Sequence, residues 1–236
     1  MHLVERPSPN HEPRPADVVV DMLILHYTGM KTAAAALERL CSPEPPRVSA
    51  HYLVEETGKI WRLVPEERCA WHAGVAFWAG RRDINARSIG IEIVNPGHEF
   101  GYRPFPRPQM IAVEGLCRDV LRRHPIPARF VLGHSDVAPL RKTDPGERFD
   151  WPRLARLGIG LWPDFTAATA APETIAETQR LLAAIGYETP QNGILYEATV
   201  QVLTAFQRHF RPARCDGVPD AETRARIAAV AAACGV

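Results

Sequence analysis

Val18-Val19-Val20 followed by Met22-Leu23-Ile24-Leu25 forms a nearly unbroken apolar run that ends on His26. A strand that is apolar at successive positions offers no face to water, so it has to lie inside a sheet covered on both sides. The stretches around it supply layers of that kind. Thr32 to about Leu40 is alanine-rich, reads as a helix, and is closed by Pro43, Pro45 and Pro46. His51 to Leu63 predicts a hairpin, with Tyr52, Val54, Ile60 and Trp61 as strand formers and Thr57-Gly58-Lys59 as the turn. Ser88 to Val94 predicts another strand, and Pro108 to about Arg123 predicts a helix with Ile111, Leu116, Val120 and Leu121 as its apolar positions. Phe130-Val131-Leu132 reads as a short buried strand that runs into Gly133-His134. Strands alternating with helices indicate the α/β class, in which functional residues lie at strand ends and in the loops beyond them.

Residues 1–17 are polar and proline-rich and predict a loose N-terminal segment, followed by one α/β domain over residues 18–158. From 159 to 172 the composition shifts to Gly, Pro, Thr and Ala, which predicts a linker. Residues 173–236 then read as a small all-α domain of three helices. Ile175, Leu181, Leu182 and Ile185 mark one face of the first, and Thr199, Leu203, Phe206 and Phe210 mark the second. Asp220 is the expected N-cap of an alanine-rich third helix reaching about Ala233. A short repeat runs through this region: Asn192-Gly193 with Thr199, then Asp216-Gly217 with Thr223. It indicates two similar turn-plus-helix units packed on each other.

A chain of 236 residues, 46% hydrophobic and 23% charged, can build one large core and a small second one. Its formal net charge of +1 gives no long-range field for nucleic acid or an anionic membrane surface, and neither partner is expected. No apolar run is long enough to span a bilayer. The five cysteines, Cys41, Cys69, Cys117, Cys215 and Cys234, are odd in number and contain no C-x-x-C pair, which argues against a disulfide framework. With no secretory stretch in residues 1–17, a reduced, cytoplasmic setting is expected, or a periplasmic one if an export signal has been removed.

Three features carry the chemistry: His26 at a strand end, Glu92 inside Ile89-Gly90-Ile91-Glu92-Ile93-Val94, and the segment from His134 to Gly146. Each has a plainer reading. A strand-end histidine is often structural, Asp144 before Pro145-Gly146 can be a turn residue, and Glu92 could lie on the solvated face of an alternating strand. Between two isoleucines, however, a carboxylate tends toward burial, and burying an unpaired charge costs several kcal/mol. Something has to compensate it.

Taken together, Leu23-Ile24-Leu25-His26-Tyr27-Thr28, Ser49-Ala50-His51-Tyr52-Leu53-Val54, Ala70-Trp71-His72-Ala73-Gly74, Ser88-Ile89-Gly90-Ile91-Glu92, Gly133-His134-Ser135-Asp136 and Lys142-Thr143-Asp144-Pro145-Gly146 resemble a zinc amidase family. It includes the anhydro-muropeptide and cell-wall amidases and is related to the peptidoglycan recognition proteins. The resemblance spans roughly Val18 to Leu157 and implies a mixed central sheet flanked by helices. It places Zn2+ on His26, His134 and Asp144, three ligands that leave a fourth position open, as a catalytic site requires. Glu92 would move the proton between water and the leaving amine. Lys142 would donate to the oxyanion, its plainer reading being a solvated lysine paired with Arg141.

Tyr27, His51, Trp71 and His72 would line the cleft and hold sugar or stem peptide, or else be core and rim packing. His98, His124 and His209 match nothing in the pattern and read as surface residues. The tail resembles a peptidoglycan-binding three-helix domain through Gln179-x-x-Leu182, Gly186-Tyr187, Ala205-Phe206-Gln207 and the Asp216-Gly217 turn. It would raise effective substrate concentration by tethering, or simply pack on the catalytic domain. The implied activity is hydrolysis of the amide between N-acetylmuramoyl sugar, in 1,6-anhydro form, and the L-alanine of the stem peptide. The partners would be muropeptides or peptidoglycan fragments, in recycling or turnover. A non-catalytic muropeptide-recognition protein and a zinc peptidase acting within the stem peptide are the competing readings.

Overall fold

In the computed structural model, which describes residues 3–166 and 170–236, a six-stranded sheet forms the centre. Its order is β1 (Leu3–Glu5), β5 (Ile60–Arg62), β4 (Tyr52–Val54), β7 (Ser88–Ile93), β3 (Met22–Tyr27) and β8 (Val131–Gly133). The β4 and β5 pair is antiparallel and the other neighbours are parallel, so the sheet is mixed. A separate two-stranded ribbon joins β2 (His11–Pro13) to β6 (Arg68–Ala70). The helices are α1 (Ala33–Cys41), α2 (Ile84–Arg87), α3 (Gly97–Phe100), α4 (Arg107–Arg123), α5 (His134–Val137), α6 (Trp151–Ala155), α7 (Ile175–Ile185), α8 (Glu197–Phe210) and α9 (Ala221–Cys234).

The expected strand buried on both faces is β3. Leu23 and Leu25 join a core with Val113 and Leu116 of α4, whereas Met22 and Ile24 join a second core with Leu182, Phe206 and Ile227 of α7, α8 and α9. Each such side chain, fully buried, is worth about 1.5–3 kcal/mol over exposure. The C-terminal helices are therefore the covering layer of the second sheet face. Val18 to Val20 do not extend the strand. Asp21 interrupts them and pairs with Arg87, while Val19 points to solvent.

The N-terminal segment is not loose. Its residues add β1 to the sheet edge and β2 to the ribbon, and Arg14 reaches inward. Arg14 Nη1 donates to the carbonyls of Ala86 and Asn85 at 2.6 and 3.1 Å, and Nη2 donates to Ser88 O at 2.9 Å. These are carbonyls at the C-terminal end of α2, where a helix leaves its acceptors unpaired. Backbone pairing of this kind needs no side-chain periodicity, so composition alone concealed it. Met1 and His2 of this segment, and residues 167–169 of the expected linker, lie outside the described residues.

The C-terminal repeat has a physical basis. Gln179 donates to Thr199 Oγ1 and Ile194 O and accepts from Gly193 N at 2.8 Å. Gln207 does the same with Thr223 Oγ1, Val218 O and Gly217 N, the last at 2.7 Å. A buried glutamine on one helix thus clamps the turn and first residues of the next, twice. Asp220 caps α9 by accepting from Thr223 N.

His209, expected at the surface, is buried. It stacks on Trp151 with ring centroids 3.8 Å apart, and its Nδ1 donates to Asp136 Oδ2 at 2.7 Å. Tyr187 of the helical region donates to Asp136 Oδ1 at 2.6 Å, and Gly133 N donates to Oδ2. Burial, then the Asp136 carboxylate, pushes the Tyr187 hydroxyl well above its ordinary pKa, so it remains a donor. Beside it, Gly186 has φ of +142°, and a Cβ there would lie 2.5 Å from Trp78. His124 is also withdrawn from solvent, paired with Glu66 at 2.8 Å. Only His98 of the three remains substantially exposed.

Removing one donor from a buried carboxylate leaves its desolvation uncompensated. Tyr187→Phe is expected to lower unfolding free energy by about 1–3 kcal/mol in urea titrations, while Tyr196→Phe at an exposed position leaves it unchanged. Equal values for the two variants would show that the Asp136 network contributes nothing to cohesion.

Candidate metal centre and cleft

Parallel pairing of β3 with β7 puts His26 opposite Glu92, and β8 lies on the other side of β3. All three strands run the same way, so their C-terminal ends open on one side, where an open α/β sheet offers its cleft. His134 follows β8 directly as the first residue of α5. The loop after α5 returns through a backbone hydrogen bond from Ser135 N to Asp144 O of 2.8 Å, which brings Asp144 beneath His134.

The result is a tight triangle. His26 Nδ1 and His134 Nδ1 lie 2.9 Å apart, and each lies 3.1 Å from Asp144 Oδ2. All three residues are buried. Burial first, and then the neighbouring His134, lowers the His26 pKa to about 4, so this imidazole is neutral at neutral pH. Burial opposes ionisation of Asp144, but His134 and His26 beside it hold its carboxyl well below the usual range. His134 Nε2 faces the carbonyl of Ala73 at 3.0 Å. A carbonyl only accepts, so Nε2 carries a ring hydrogen and Nδ1 is the nitrogen that faces the other two groups. Two imidazole nitrogens and a carboxylate oxygen converging at a buried point on the cleft wall fit a divalent cation of zinc type.

Glu92 lines the same cleft. Its Oε2 is buried and has no hydrogen-bond partner among the described residues. Burial, then the charge of Asp144, raises its pKa well above the usual carboxylate value, and Lys142 opposes the shift. Glu92 is half-buried on the cleft wall with one carboxylate oxygen shut off from solvent, so the alternating-strand reading of it as a freely solvated residue does not hold.

The cleft encloses about 340 Å3, the lower part of the range typical for small-molecule sites. Lys142, Tyr27, Trp71 and His72 all line it. Tyr27 shares hydrogen bonds with Thr143 Oγ1 at 2.8 Å and His98 Nδ1 at 3.0 Å. His51, expected to line the cleft, does not reach it. It is fully buried beside β7, its ring centroid 5.8 Å from that of His72, and its Nδ1 accepts from Gly90 N at 2.9 Å. Burial, then Arg14, lowers its pKa to about 3, so it is a neutral packing residue.

Arg39 and Arg141 also line the cleft and were not singled out from sequence. Arg141 Nε donates to Val75 O at 2.8 Å, and Nη2 bonds Ala73 O. Its position between His134 and Asp144 was the available signal, since any residue in that short loop has to pass the site.

Comparison with known proteins agrees with this geometry. The family described as N-acetylmuramoyl-L-alanine amidase (Amidase_2) matches residues 15–147, and the putative peptidoglycan binding domain (PG_binding_1) matches residues 172–227. N-acetylmuramoyl-L-alanine amidase AmiD of Escherichia coli strain K12 is 39% identical over 87% of this chain and 80% of its own length. The 1,6-anhydro-N-acetylmuramyl-L-alanine amidase AmpD of Salmonella typhimurium strain SL1344 is 34% identical over 64% of this chain and 87% of its own. The solved complex of E. coli AmiD with anhydro-N-acetylmuramic acid-L-Ala-D-gamma-Glu-L-Lys superposes with a TM-score of 0.82 at 35% identity, covering 98% of this chain and 93% of that one. AmpDh3 from Pseudomonas aeruginosa in complex with anhydromuramic pentapeptide gives 0.79 at 34% identity, covering 95% and 94%.

The raised pKa of Glu92 has a measurable cost. Its folded value lies above the unfolded one, so the residue costs stability as pH climbs from the unfolded pKa through the folded one. In metal-free protein, Glu92→Gln is expected to raise Tm at pH 8, each kcal/mol relieved being worth about 2–4 °C for a chain of this size. The gain should vanish at pH 4, and an equal gain at both pH values would exclude the buried charge as its origin.

Proposed function

The chain belongs to the N-acetylmuramoyl-L-alanine amidase family, and from that premise we propose that it hydrolyses the amide joining N-acetylmuramoyl sugar to the L-alanine of a stem peptide. The observation that carries this reading is the triangle of His26 Nδ1, His134 Nδ1 and Asp144 Oδ2 beside the unpartnered Glu92 in one cleft. The residue roles and the preference for 1,6-anhydro substrates belong to the same proposal. The substrate preference is supported by the anhydro-muropeptides bound in two similar structures.

Zinc on His26, His134 and Asp144 would supply Lewis acidity toward the amide carbonyl and make hydroxide available at neutral pH. The chain's own groups do the rest. Glu92, half-buried in the cleft with an elevated pKa, accepts the proton of the attacking water and returns it to the amine of L-alanine as the bond breaks. Lys142 lines the same cleft, where its ammonium would face the negative charge that grows on the carbonyl oxygen. Tyr27 and Trp71 flank the opening and offer a hydroxyl and an aromatic face to sugar or peptide. Arg141, tied to two backbone carbonyls, presents fixed positive charge at the rim, suited to a peptide carboxylate.

We assign catalysis to residues 18–158 and a peptidoglycan-binding role to residues 173–236, the latter on the match over 172–227. Because the helices also close the second face of the sheet, this module shares a hydrophobic core with the catalytic domain. Among the described residues no helix is long and apolar enough to cross a membrane. All five cysteines are free, which fits a reducing setting such as the cytoplasm, and fractionation of cells producing the protein tests that placement.

Mass spectrometry of zinc-loaded protein incubated with 1,6-anhydro-N-acetylmuramoyl tripeptide is expected to show free tripeptide and free sugar. Glu92→Ala is expected to lower the rate by about 10²–10⁴-fold, and a chelated sample to show none. Fragments cut within the tripeptide would instead make the protein a zinc peptidase, and substrate bound but uncut would make it a recognition protein.

A further inference from the structure

His72 lines the cleft, yet both of its ring nitrogens are already engaged. Ser88 has one hydroxyl hydrogen, and it is donated to Ile84 O at 2.6 Å. Toward His72 Nε2, 3.1 Å away, Ser88 Oγ can therefore only accept, which puts the ring hydrogen of His72 on Nε2. Only one hydrogen fits between two facing ring nitrogens, and with the ring hydrogen of His72 on Nε2 its Nδ1 keeps a free lone pair. That lone pair faces His26 Nε2 at 3.0 Å and takes its hydrogen, leaving His26 Nδ1 bare toward Asp144.

The neighbouring residue does the same for the other histidine, since Ala73 O accepts from His134 Nε2. One dipeptide thus orients both rings, His72 through its side chain and Ala73 through its carbonyl. The dipeptide is itself pinned: Asn85 Oδ1 accepts from His72 N at 3.1 Å and from Ala73 N at 2.7 Å. Gly90 completes the cradle. A Cβ there would lie 2.5 Å from the His72 ring, so only glycine lets the imidazole lie against β7.

We infer that Asn85 and Ser88 are positioning residues that fix the metal-binding tautomer of His26 and His134 through the His72-Ala73 dipeptide, and that His72 orients a ligand rather than contacting substrate. The inference rests on the reading that His26, His134 and Asp144 hold a metal. Partners of this kind set ligand ring orientation and basicity, and their loss weakens metal binding by about 10–100-fold.

Zinc affinity, read by competition with a chromophoric chelator on the full chain, tests it apart from catalysis. Ser88→Ala, Asn85→Leu and His72→Phe are each expected to weaken zinc binding by about 10–100-fold. Asn85→Asp, which keeps an acceptor oxygen for the two N–H groups, is expected to bind zinc like wild type. Wild-type affinity in Ser88→Ala and Asn85→Leu, with KM alone raised in His72→Phe, would overturn the inference and return His72 to the substrate. If Asn85→Leu does not fold, Ser88→Ala, which deletes a single oxygen, decides alone. Wild-type protein that takes up no zinc would fail the metal reading itself, a result distinct from unaffected variants.

Discussion

Two imidazole nitrogens and a carboxylate oxygen meet within 3.1 Å of one another in a place closed to water. Such a cluster repels itself unless a cation or a shared proton lies between its members, because burial leaves little solvent against it to screen it. The fold holds it together by bringing the same ends of β3, β7 and β8 side by side. Register then does the fine placement: His26 pairs with Glu92, so a candidate ligand and a candidate base emerge on adjacent strands. A slip of β3 by one residue would turn His26 to the face of the sheet opposite Glu92.

Holding the ends of three strands rigid requires both sheet faces to be packed. On one side α4 does this with its own apolar stripe. On the other the C-terminal helices do it, and they are also wired to α5 through Tyr187, His209 and Asp136. Since His134 opens α5, the helical module braces the short helix that begins with a candidate ligand. A module of the peptidoglycan-binding type serves here as structure as well as a prospective binding surface.

The site is built from groups that oppose folding when taken singly. Glu92 has a buried oxygen without a partner, and His26, His51 and His72 are all held neutral by burial. Enzymes tolerate such groups where a shifted pKa or a fixed tautomer serves the reaction, and the surrounding core carries the cost. In this chain the surroundings are unusually specific. Arg14 caps α2, Asn85 and Ser88 project from the junction of α2 with β7, and each of the three bonds a backbone atom whose role as donor or acceptor is fixed.

Much of this was legible in the chain itself. The two-sided burial of β3, the hairpin of β4 and β5, the span of α4 and the Asp220 cap all follow from apolar periodicity, turn residues and short-range hydrogen bonding, which are local properties. The grouping of His26, Glu92, His134, Lys142 and Asp144 was available through resemblance, because these types occur in a particular order. What only tertiary structure decided depends on contacts distant in sequence. Composition could not show that residues 3–14 dock as edge strands and a helix cap, that His209 is buried against Trp151, or that His51 is buried away from the cleft while His72 faces His26. Whether a histidine is a ligand, a brace or packing depends on which atoms surround its two nitrogens, and that is settled only when the strands have taken their register.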